Sequence, residues 1–176
     1  GTSAARRRAQ LAWQRADLVP AELRGNVPTR IERLREGRYD AIVLAAAGLE
    51  RLSLTPEGLE TVVLDPAHFV PAPAQGALAL EIRRGDDGLA SLLTELHDVR
   101  GYPAVAAERG LMAMIQGGCQ LALGAHAQAV PGGLRLHAWY EGRGVQVEHP
   151  SAEGAAMLAY DGLGRPDPSA EREERA

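Results

Sequence analysis

The sequence predicts an α/β protein in two unlike parts: a partial α/β lobe, then a small α+β domain with a three-stranded antiparallel sheet. Three observations carry this expectation. Two apolar runs of strand length, Ala41–Ala45 and Thr61–Leu64, alternate with helical segments, as in a parallel sheet covered on both faces. Residues 121–148 instead alternate apolar and polar residues around the turns Pro131-Gly132-Gly133 and Gly142-Arg143-Gly144, the pattern of an antiparallel meander. Between these regions, Pro71-Ala72-Pro73-Ala74 reads as a linker.

Taken in order, Gly1-Thr2-Ser3 ahead of Ala4–Arg15 reads as a capped helix start. A Thr or Ser hydroxyl can accept first-turn amides, and such a helix end is a seat for an anion. Arg6, Arg7 and Arg8 lie in the first turns, where cations oppose the helix dipole unless an anion is near; the alternative is a solvated basic face. Gly25-Asn26 is turn chemistry, Thr29 is the expected N-cap of a helix reaching Glu36, and Gly37 is its expected terminator. Asp40 leads into the first strand, and Ala46-Ala47-Gly48-Leu49 turns into a short helix. Thr61–Leu64 forms the second strand, closed by Asp65-Pro66, and Gln75-Gly76 precedes a third candidate, Ala77–Ile82. The polar stretch Arg83–Gly88 marks a boundary.

The second half opens with Leu89, Leu92, Leu93 and Leu96 at i, i+3, i+4 and i+7, an amphipathic helix. A helix over Pro103–Ile115 holds Glu108-Arg109, read as a structural ion pair or helix-face interaction. Strands are expected at Leu121–Val130, Leu134–Trp139 and Val145–Glu148. A last helix starts at Pro150-Ser151 with Ala156, Met157 and Tyr160 on one face, and a charged tail follows.

Composition narrows the function. A formal charge of -4 argues against generic nucleic-acid binding. All 19 basic residues are Arg, which excludes lysine-amine chemistry in this chain. No apolar run is long enough to span a membrane, and no signal segment is present, so a reducing cytoplasm is the expected compartment. The chain opens on Gly1 without Met, inside a motif, and reads as a fragment. His68, His97, His126, His137 and His149 fall at no ligand spacing, so no metal is expected. The lone thiol, Cys119, lies in Gln116-Gly117-Gly118-Cys119-Gln120 just past a predicted helix. It is either a small buried core thiol or one presented on a loop for covalent chemistry.

Several segments together resemble the porphobilinogen deaminase (hydroxymethylbilane synthase) family. They are Gly1-Thr2-Ser3 with Arg6-Arg7, Leu23-Arg24-Gly25-Asn26-Val27 with Thr29-Arg30, and Tyr39 to Leu49. Gln75-Gly76-Ala77, Ala107-Glu108-Arg109 and Gly117-Gly118-Cys119-Gln120 complete the set. The resemblance implies the later part of a three-domain enzyme whose first two domains resemble periplasmic binding proteins. Residues 1–70 would be the second domain without its opening strand, and 71–88 a crossover into an absent first domain. Residues 89–163 would be the third domain and 164–176 a tail.

It further implies a transferase that joins four porphobilinogen molecules with release of ammonia, in tetrapyrrole biosynthesis. The product grows on a dipyrromethane cofactor tied by a thioether to Cys119. Arg6, Arg7, Arg24 and Arg30 match positions that hold pyrrole carboxylates, as do Thr2 and Ser3; Gly48 falls among the cofactor-contacting positions. Arg24, Arg30 and Gln75 would meet substrate and the growing polypyrrole. Guanidinium suits this task because it pairs with carboxylate through two parallel hydrogen bonds. The family works as a monomer without metal, nucleic acid or membrane partner. Its catalytic Asp lies in the first domain, so no catalytic residue is assigned within this chain. Ala4 stands where a second Ser is common and Ala122 where a Pro is common, which removes one carboxylate contact and loosens the cysteine loop. Two other readings stay open: an anion-binding lobe of a two-lobed binding protein, and an inert fragment with an exposed apolar edge at Ala77–Ile82.

Overall fold

The computed structural model describes residues 1–55, 57–116 and 121–166. Its elements run α1 (Ala5–Gln14), α2 (Val27–Arg35), α3 (Ala46–Arg51), α4 (Asp87–Thr94) and α5 (Tyr102–Met114). Then come β1 (Gly124–Val130), β2 (Gly133–Tyr140), β3 (Arg143–His149) and α6 (Ala152–Gly162). The mixed α/β character and the three-stranded antiparallel sheet, ordered β1-β2-β3, are as expected.

The meander forms where alternation and turn residues put it. β2 is central, pairing Leu136 with Ala127 on one side and Val147 on the other. One face of the sheet packs on α5 and α6. Leu111 and Ile115 at the α5 end, Leu136 from β2, and Ala155, Ala156 and Ala159 from α6 are buried together. Burying each large aliphatic side chain contributes about 1.5–3 kcal/mol, so this cluster anchors the C-terminal half. β1 begins at Gly124 and not at Leu121.

Three expected strands are corrected. Residues 41–45, 61–64 and 77–82 form no helix and belong to no ladder among the described residues. The one pairing contact is at Gly1, whose N–H donates to Ala41 O at 2.7 Å while Val43 N donates to Gly1 O at 3.2 Å. That is the hydrogen-bond pattern of a parallel pair, one residue long. Val62, Val63, Leu78 and Leu80 are 71%, 82%, 80% and 61% exposed. An apolar strand is held by neighbours that satisfy its backbone and cover its faces; among the described residues 61–64 and 77–82 pair with no strand, and 41–45 has the single bridge to Gly1. α4 likewise forms with Asp86 as its cap but buries no residue, leaving Leu92 and Leu96 uncovered.

Two caps also differ. Asn26, not Thr29, caps α2: its Oδ1 accepts from Thr29 N at 3.0 Å, and Pro28 fits the first turn because it has no N–H to satisfy. α1 starts after Ala4 with no side-chain cap, so neither Thr2 nor Ser3 caps it. The far end of α2 is as expected: Gly37 takes φ 71°, Gly37 N donates to Leu34 O and Arg38 N to Arg33 O, closing a Schellman turn.

Candidate anion-binding site

The site is built around the start of α1. Residues 1–3 thread between residues 21–23 and 41–43. Thr2 N donates to Ala21 O at 2.8 Å, and Ser3 Oγ donates to Leu23 O at 2.9 Å while accepting Leu23 N at 3.0 Å. The hydroxyl expected to cap the helix is thereby spent on an adjacent segment. The first turn of α1 holds no acidic residue and no side-chain cap, so its free amides retain their attraction for anions. Thr2 is buried, and its Oγ1 has no hydrogen-bond partner among the described residues. A buried hydroxyl left unpaired is costly, and a ligand oxygen would relieve it.

Two of the four predicted arginines, Arg6 and Arg7, lie in the first turns of α1, and Arg30 is near enough to Arg7 to act on its charge. Arg6 is buried, donates through Nη1 to Val70 O, and lies 6.0 Å from the centre of the Phe69 ring. Burial, with Arg7 adding repulsion, brings its pKa down to about 10. Arg7 is half-buried and donates to Val43 O at 2.8 Å. Its pKa is lowered by burial and then by Arg30. Arg30 donates through Nε to Gly25 O at 2.7 Å. All three spend these bonds on backbone carbonyls, not on carboxylates. Cations that donate to carbonyl dipoles in a partly buried setting are an electrostatic arrangement that an anion would stabilise.

The remaining predicted residues lie outside this group. Arg24 is exposed and paired with Glu22, with Nη2 and Oε1 2.6 Å apart. Gly48 sits in α3, where an added Cβ would lie 3.3 Å from Val27 Cγ2. Gln75 is exposed in a turn, its N–H donating to Ala72 O at 3.0 Å. Cys119 falls outside the described residues.

Two positioning side chains, Gln10 and Arg51, escaped the sequence reading, and a third, Glu108, expected in a structural ion pair or helix-face interaction, takes its main partners from backbone amides and has His126 Nδ1 3.8 Å away. Gln10 is buried in α1 and holds Val70 through both amide atoms. Glu108 accepts Ala74 N at 2.6 Å and Ala127 N at 2.7 Å, and is not ion-paired to its neighbour Arg109. Arg51 donates to Gly76 O at 2.6 Å, tying α3 to the turn beside Gln75. A helical Gln or Glu reads as a solvent-facing residue, and only the backbone groups brought opposite it reveal its role.

Comparison with known proteins adds a family. Residues 1–91 match the model described as "Porphobilinogen deaminase, dipyromethane cofactor binding domain". Among similar proteins, porphobilinogen deaminase of Syntrophobacter fumaroxidans is 47% identical over 77% of this chain and 43% of its own length. That of Mycolicibacterium gilvum is 41% identical over 95% of this chain and 53% of its own length. That of Thermus thermophilus is 50% identical over 77% of this chain and 45% of its own. The chain thus spans about half the length of these relatives. The matched region contains α1 with Arg6 and Arg7, and α2 with Arg30, and on the strength of this match the chain belongs to the porphobilinogen deaminase family.

Proposed function

We propose that this chain supplies the carboxylate-binding and cofactor-anchoring part of an enzyme that joins porphobilinogen units, with release of ammonia, into hydroxymethylbilane. The observation that carries this is the placement of Arg6 and Arg7 at the uncapped start of α1, with Arg30 near enough to act on the charge of Arg7 and carbonyls as their recorded partners. Each pyrrole of the substrate bears two carboxylates, and this cluster offers fixed positive charge, free amides and the buried Thr2 hydroxyl.

The same features fit dipyrromethane, which carries four carboxylates. Arg6, Arg7, Arg30, Thr2 and Ser3 would hold it, and Cys119, between the end of α5 and the start of β1 in chain order, would anchor it as a thioether. When bound, the group supplies the primer on which product grows. This chain's residues bind and orient its acidic side chains. Arg24 would exchange Glu22 for a substrate carboxylate, and Gln75 and Gly48 would line the approach. Protonation chemistry is assigned to an Asp of the first domain, outside this chain.

In this reading residues 1–70 are one lobe of a periplasmic-binding-protein-like pair. Residues 71–88 cross to the first domain and 89–163 are the third domain. The uncovered runs at 61–64 and 77–82 support the assignment, because they need a sheet to complete them. The enzyme would act as a monomer in a reducing compartment, without nucleic acid or membrane. Among the described residues no helix is long and apolar enough to cross a membrane. A relative from Euglena gracilis carries the name "Porphobilinogen deaminase, chloroplastic", so the compartment varies within the family. The test is porphobilinogen consumption with ammonia release by the full natural chain. Activity that persists undiminished when Arg7 and Arg30 are both replaced by Ala would contradict the reading.

A further inference from the structure

Gln10 and Glu108 grip one stretch of backbone from opposite sides. Gln10 Nε2 donates to Val70 O at 2.8 Å and its Oε1 accepts Val70 N at 2.8 Å, so one side chain satisfies both backbone groups as a neighbouring strand would. Arg6 donates to the same carbonyl. One residue on, Pro71 O accepts Ala125 N of β1 at 2.9 Å. At the far end Glu108 holds Ala74 N to Ala127 N. Trp13 of α1 lies over Trp139 of β2, ring centres 6.3 Å apart, closing the same junction.

We propose that Gln10 is a positioning residue: by clasping Val70 it fixes the arginine-bearing helix against β1, and so sets the anion site relative to the antiparallel sheet. The inference rests on the function proposed above. Leucine would fill the same volume, but the amide serves Val70, whose N–H and C=O are buried and need partners. Without it α1 is free to shift against the sheet, and a misplacement near 1 Å costs up to about 100-fold in rate.

The test compares Gln10→Met, which removes both hydrogen bonds at similar length, with Gln10→Glu, which keeps only the acceptor for Val70 N. Both are made in the full natural chain. Two readouts apply: the exciton couplet of the tryptophan pair in circular dichroism, isolated by subtracting a Trp13→Phe control, and kcat and KM for porphobilinogen. The Met variant is expected to lose most of the couplet and roughly tenfold or more in kcat, with KM within about twofold. The Glu variant should fall between it and the parent. A folded Met variant with couplet and kcat intact overturns the proposal. If that variant does not fold, an unchanged couplet and kcat in the Glu variant overturn it equally. Should the parent fail to consume porphobilinogen, the functional reading falls, and the couplet alone decides the positioning role.

Discussion

Arg30 lies close enough to Arg7 to lower the pKa of the Arg7 guanidinium, second only to burial as a cause. Both donate to backbone carbonyls, Val43 O and Gly25 O. Holding like charges together is a standing cost, which a bound carboxylate would offset in the proposed function. Replacing either by Ala should lower kcat/KM for porphobilinogen about 10- to 100-fold, the range for losing a hydrogen bond to a charged group. Arg30→Lys keeps the charge but not the planar fork, and should fall between. Steady-state kinetics check both.

Glu108 satisfies two backbone amides on elements far apart in sequence, Ala74 and Ala127. Truncating it to Ala leaves both N–H groups unpaired in a largely buried setting. The expected loss is about 2–5 kcal/mol of folding stability, measured as a shift in the urea midpoint.

Gly124 opens β1 directly against Val70. A Cβ there would lie 2.8 Å from Val70 Cβ and 2.9 Å from Val70 O. Backbone cannot yield as a flexible side chain would, so Gly124→Ala should cost about 1–3 kcal/mol. Thermal denaturation checks this.

His126 and His137 face each other across β1 and β2. Burial is the main cause that lowers both pKa values; His137 adds to the shift at His126, Arg135 and His68 add to that at His137, and Asp65 opposes both. A histidine whose folded pKa is depressed binds fewer protons folded than unfolded near that pKa. The stability it allows is therefore fully present above the ordinary value of 6.5 and lost as pH falls through the depressed folded values. His126→Gln and His137→Gln should each flatten stability against pH below about 6.5. Urea midpoints between about pH 5 and 7.5 read this out.

The legible parts of the fold were those whose information is local. The meander followed from alternation and glycine turns, α4 from its leucines at helical spacing, and α6 from Ser151, whose Oγ accepts Gly154 N at 3.1 Å. The dipole conflict singled out Arg6, Arg7 and Arg8 as candidates, whereas Arg30 was singled out only by the family resemblance. What depends on long-range partners was not legible. Thr29 and Asn26 are both plausible caps by type, and only the chain path puts Asn26 first. Ser3 prefers Leu23 backbone to the helix end. Residues 41–45, 61–64 and 77–82 have the composition of strands, but a strand exists only with its neighbours. Gln10 looks like a surface residue until Val70 is brought opposite it, and Glu108 was legible as structural but not as the partner of Ala74 and Ala127.

The central claim is that this chain anchors dipyrromethane on Cys119 and holds its carboxylates with the arginine cluster. Intact mass of the full natural chain, taken before and after alkylation of free thiols, tests it most directly. The account predicts a mass excess of two joined pyrrole units, mapped to Cys119, with no thiol left to alkylate, and loss of that excess when Arg7 and Arg30 are both replaced by Ala. An unmodified, fully alkylated Cys119 in the parent protein would contradict it.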